Sequence, residues 1–106
     1  MAKYLFEARY TVEGAKGIAK EGGTGRRAAI TKAAEALGGK LEALYFAFGD
    51  VDAYVILDLP DATAAAAVAL ATNQSGAVAV KTVVLLTAEE MDKAAKTAVN
   101  YRPAGH

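Results

Sequence analysis

The chain has 106 residues, 54 % of them hydrophobic, with 12 basic and 12 acidic side chains and no cysteine. That length suits one domain around one core. Balanced charge argues against nucleic acid or an anionic membrane as partner, and the missing thiols exclude disulfides, thiolate metal sites and cysteine nucleophiles.

The opening "MAKYLFEARY" is charged and alternating, without the apolar stretch of a signal peptide. No apolar run approaches the ~20 residues of a membrane helix. A cytoplasmic location is therefore expected. Residues 3–12 alternate with a period of two. Tyr4, Phe6, Ala8, Tyr10 and Val12 share one face, and Lys3, Leu5, Glu7, Arg9 and Thr11 the other, which predicts a half-buried strand. A helix begins at Thr11 and Glu13, is interrupted by "EGGTG", and resumes through "RRAAITKAAEAL" until Gly38 and Gly39 stop it.

The interruption carries Gly23, Gly25 and Ala28 at G-x-G-x-x-A spacing. Such a turn holds a pyrophosphate only where it directly follows a strand and opens a helix. Here the preceding residues are helical, so a dinucleotide site is excluded on context. The stretch reads as a helix break, with Thr24 as N-cap of the second half. Thr24, Arg26 and Arg27 form a secondary anion site beside the new helix N-terminus.

"KLEALYFAFGDVDAYVILDLP" is two strand-like runs joined by Gly49-Asp50-Val51-Asp52, a hairpin. Taking Asp50 and Val51 as the loop sets Phe46 opposite Val55 and Leu44 opposite Leu57. Asp61 or Thr63 caps the alanine-rich helix that follows, which ends between Asn73 and Gly76. "AVAVKTVVLLT" is a fourth strand, and Thr87 with Glu90 makes a capping box for a third helix. The order is β-α-β-β-α-β plus a helix and tail. This predicts an α+β, ferredoxin-like sandwich in one domain, residues 1–106, with the core in 1–87 and the helix and tail in 88–106.

Both core helices would cover one sheet face and leave the other open. That outer face would carry Glu7, Arg9, Tyr45, Asp52, Tyr54, Asp58 and Lys81 among Leu5, Ile56, Val83 and Leu85. It is half apolar and half ionisable, which admits two compatible readings. In one, it packs on a partner subunit, with Glu7/Arg9 and Asp58/Lys81 as structural ion pairs. In the other, two such faces enclose a pocket where these groups orient a small ligand.

The runs "LGGKLEALYFAFGDVDAYVILDLPD", "SGAVAVKTVVLLTAEEMD" and "YRPAG" resemble the GYD-domain family, small bacterial proteins named for a Gly-Tyr-Asp-like motif in the central hairpin. Gly49 and Asp52 match that motif, while Val51 stands at the tyrosine position. The resemblance implies a homo-oligomer, as a dimer of the dimeric α/β-barrel kind, whose sheets face each other around a cavity. That superfamily spans monooxygenases, isomerases, haem enzymes and ligand binders, so fold does not select a reaction.

His106, the single histidine, is the last residue and is expected to be an unconstrained tail group. Without cysteine, only carboxylates such as Glu7, Asp52 and Asp58 are left as metal ligands, so neither a metal nor a cofactor is expected. The residues are read as a dimer that binds a small, partly polar ligand under the open face. The alternatives are a cofactor-independent monooxygenase or isomerase using Asp52 or Asp58 as base, and a purely structural oligomer.

Overall fold

The computed structural model describes all 106 residues. Strand β1 (Ala2–Tyr10) leads into α1 (Val12–Ala36), then β2 (Lys40–Phe46), β3 (Ala53–Leu59), α2 (Ala62–Gln74), β4 (Val78–Leu85) and α3 (Ala88–Lys96). The four strands form one sheet in the order β2-β3-β1-β4, every neighbouring pair antiparallel. This is the expected α+β, ferredoxin-like arrangement. None of its helices is long and apolar enough to cross a membrane.

Local chemistry sets the helix starts. The Thr11 hydroxyl accepts from the Gly14 N–H, Asp61 from the Ala64 N–H, and Thr87 with Glu90 completes the capping box of α3. Because Thr11 belongs to the cap, β1 ends at Tyr10, two residues short of the alternating run. Inside α1 the break falls at Gly22, with φ +80° and ψ 166°, a backbone region that glycine enters at little steric cost. Thr24 is not the N-cap of the second half. It already has helical geometry, and its hydroxyl makes no capping hydrogen bond.

The central hairpin differs from the two-residue expectation. Its ladder closes at Phe46 opposite Ala53, with Leu44 opposite Val55, so the connection runs through residues 47–52. The cause is Asp52. Its N–H donates to the Ala8 carbonyl and its carbonyl accepts from the Ala47 N–H, both at 2.8 Å, which ties the end of the loop to β1. The shift is two residues, so the side chains from Ala43 to Phe46 keep their faces. A bulge between Leu41 and Ala43 then brings Leu41 opposite Leu57 on the buried side.

The core lies between the sheet and the two helices. Tyr4, Phe6, Val55, Leu57 and Leu59 from the sheet meet Ala34 and Ala65 from the helices. Only 11 residues are buried, so the core is thin. The radius of gyration is 16.6 Å, against about 13 Å for a compact chain of this length. The 25-residue α1, and α3 with no buried residue, account for the elongation.

At the end of α1, Gly38 takes φ +78° and Gly39 approaches β3 so closely that a Cβ on it would lie 2.1 Å from the Asp58 carbonyl oxygen. Gly39→Ala is expected to lower stability by about 1–3 kcal/mol through overpacking. Gly17→Ala, where an added Cβ meets nothing within 4 Å, is expected to gain up to about 1 kcal/mol of helix propensity. Thermal melts of the two variants read the contrast, and equal melting temperatures would contradict it.

Candidate functional site

The register arranges the open sheet face in rows that cross all four strands. Lys81, Glu7, Tyr54 and Tyr45 make one row, and Val83, Leu5, Ile56 and Ala43 the next. A third row joins Leu85, Lys3, Asp58 and Lys40. Arg9 lies beyond the first row, opposite Ala79. A polar row and an ionic row thus flank an aliphatic one.

The ionic row is closed within the chain. Lys3 Nζ donates to Asp58 Oδ1 at 2.8 Å and also contacts Glu42, while Lys40 Nζ lies 4.0 Å from Asp58 Oδ2. Asp58 is 5 % exposed, and this contact answers its buried charge. The hydrogen bond to Asp58, and then that to Glu42, raise the Lys3 pKa well above its ordinary value. The expected Asp58/Lys81 and Glu7/Arg9 pairs do not form. Asp58 takes Lys3 instead, and Glu7 faces Lys81 across the β1–β4 ladder with no salt bridge to it or to Arg9. For Asp58 and Lys81 strand order decides this, because β1 separates β3 from β4.

Asp52 is drawn into the scaffold. Its Oδ2 accepts from the Tyr10 N–H at 2.8 Å, satisfying a donor where β1 leaves the ladder. Of the seven residues expected on the outer face, Glu7, Tyr54, Tyr45 and Lys81 share the first row and Arg9 adjoins it. The carboxylates of Asp58 and Asp52 are engaged in holding strands. In the first row, Tyr45 is 72 % exposed and Tyr54 40 %. Thr24 and Arg27 are also exposed, whereas Arg26 turns toward Glu21, its Nη1 3.7 Å from the Glu21 carboxylate. No group of three or more His, Asp or Glu side chains converges to hold a metal ion.

Two concavities lie elsewhere. A groove of about 410 Å³ runs between the helices and the sheet, lined by Phe6, Ile30, Val55, Leu57 and Val68 among others. A more open hollow of about 490 Å³ lies between the α1 break and the hairpin, bounded by Gly23, Phe46, Phe48 and Asp52. Tyr10 and Ile18 line both. The groove does not follow from motif spacing. Its one trace in the sequence is the recurrence of alanine at Ala29, Ala33 and Ala71, which leaves the inner helix surfaces too small to fill the gap.

The architecture defines the class: a ferredoxin-like α+β protein with helices on one sheet face and a mixed polar and aliphatic band on the other. The GYD domain model matches residues 4–95, and the chain belongs to the GYD-domain family. No curated protein and no solved structure gave a match.

Two outcomes follow from this geometry. Asp52→Ala leaves the Tyr10 N–H without its acceptor and is expected to lower stability by about 1–2 kcal/mol, while Asp52→Asn keeps an acceptor oxygen and loses less. Denaturant unfolding of both variants checks the order. Burial raises the Tyr10 pKa above its ordinary 10.0, with Arg26 opposing and Asp52 and Glu21 adding to the rise. The folded chain therefore holds this proton more tightly than the unfolded chain. Its contribution is fully present below pH 10.0 and is lost as pH rises through the folded value. Tyrosinate absorbance is expected to show Tyr10 as a late-titrating tyrosine, missing from the titration of Tyr10→Phe.

Proposed function

We propose that this chain is a small-molecule binding protein that works as a homodimer, its open sheet face packed on a second copy. The row Lys81, Glu7, Tyr54 and Tyr45, with Arg9 beside it, lines the space enclosed between the two faces. The observation that carries this reading is the contrast between the rows. The ionic row at one edge is internally paired, whereas Glu7, Arg9 and Lys81 have no salt-bridge partner beside a continuous aliphatic row.

Physical chemistry supports it in two ways. An aliphatic row flanked by polar groups is poorly placed in water, and contiguous apolar patches mark interaction surfaces. Two tyrosine hydroxyls, a carboxylate and an ammonium together offer donors and acceptors of both signs, the pattern that orients a partly polar ligand within an apolar site. The same geometry favours binding over turnover. Asp52 and Asp58, the carboxylates considered as bases, are committed to Tyr10 and Lys3, which leaves Glu7 as the carboxylate of the row.

Sedimentation and native mass spectrometry of the full chain test the dimer. The parent chain is expected to be a dimer at micromolar concentration, and Ile56→Asp, which sets a charge in the aliphatic row, to be a folded monomer. A monomeric parent chain would overturn the reading, as would an Ile56→Asp variant that dimerises unchanged.

A further inference from the structure

The helix side of the sheet holds a second site, independent of the open face. α1 stands mainly over β2 and α2 over β4, so the sheet between them is only partly roofed. The groove left there measures about 410 Å³, within the ~300–1,000 Å³ typical of small-molecule pockets. Its floor is Phe6, Val55 and Leu57, and alanines form much of its walls. Protein interiors are normally packed to crystal-like density, so an apolar gap of this size leaves its lining short of contacts.

One part of the lining is different. Arg26 reaches the groove from the second segment of α1, and its Nε is buried with no hydrogen-bond partner. Its contact with Glu21, at 3.7 Å, is too long for a hydrogen bond, and both side chains are about a third exposed. A screened pair of this kind holds weakly and is readily exchanged. The missing element is an acceptor for the guanidinium edge, and a carboxylate matches that fork with two oxygens. From Arg26 to Ala34, which also lines the groove, eight helical rises span about 12 Å along an apolar wall. That is the length of a medium aliphatic chain.

We propose that the groove between α1 and α2 binds a medium-chain aliphatic carboxylate, its head on the Arg26 guanidinium in place of Glu21 and its chain over Phe6, Val55 and Leu57. Tyr10 stands at the same polar end, and its burial there is consistent with a site that sheds water. A neutral hydroxyl head is a weaker acceptor than a carboxylate, without its charge or its second oxygen, and an ammonium head offers Arg26 no acceptor at all.

The test is an amide-resolved NMR titration of the full chain at neutral pH with octanoate, octanol and octylammonium as probes. Octanoate is expected to saturate, with shifts centred on α1 and α2 residues such as Ala29, Ala33 and Ala71. Octanol and octylammonium are expected to bind at least about tenfold more weakly. Arg26→Gln should bring octanoate down to the level of octanol and leave octanol unchanged, and Arg26→Lys should fall between. Octanoate binding should persist in Ile56→Asp, which separates this site from the dimer face. The proposal is overturned if octanoate does not saturate at millimolar concentration, if octanol binds equally well, if Arg26→Gln changes nothing, or if the shifts centre on Tyr45, Tyr54 and Lys81.

Discussion

Everything in this structure depends on the alternation along β1. This strand pairs with β3 on one side and β4 on the other, so the direction of each of its side chains is repeated across its neighbours. Tyr4, Phe6 and Ala8 point into the core, and Leu5, Glu7 and Arg9 point away from it. A slip of one residue would bring Glu7 and Arg9 under the helices and expose the aromatic rings, which is why the register tolerates none. The rows of the open face are this constraint seen from its other side.

A second feature shapes the helix side: α2 is built largely of alanine, and α1 turns alanines toward the sheet. An alanine buries far less apolar area than a leucine, at roughly 25 cal/mol for each Å² removed from water. Helices with such small inner faces cover the sheet without filling the space beneath them. The result is a thin core and a groove between α1 and α2. Membership of the GYD-domain family places these features in a known domain type without choosing a ligand for it. The unfilled volume on one face and the uncovered aliphatic row on the other are the two features on which the proposed binding rests.

Legibility in the sequence follows the range of the interaction involved. Caps are local. Thr11, Asp61 and the pair Thr87 and Glu90 sit within three residues of the N–H groups they serve, so pattern alone finds them. Faces are legible where the ladder is regular, because period two survives a hairpin displaced by two residues, but the bulge at Glu42 reverses it and turns Leu41 inward and Lys40 outward. Partners are not. Lys3 and Asp58 are 55 positions apart and meet only because β1 lies beside β3. The same holds for Asp52, whose carboxylate reads as a group at a hairpin mouth until the end of β1 is brought against it.

The sequence by itself determined the element order, the caps that open α1, α2 and α3, the break among the glycines of α1 and the division of β1, β3 and β4 into an apolar and a mixed face. These rest on backbone conformation and periodicity, which neighbouring residues control. Only the tertiary structure decided which charges close on one another, which face holds a groove, and that Arg26 lies in its lining with a buried, unpartnered Nε. Those outcomes depend on strand order and on the distance at which α1 and α2 stand apart, quantities that belong to the packed chain as a whole.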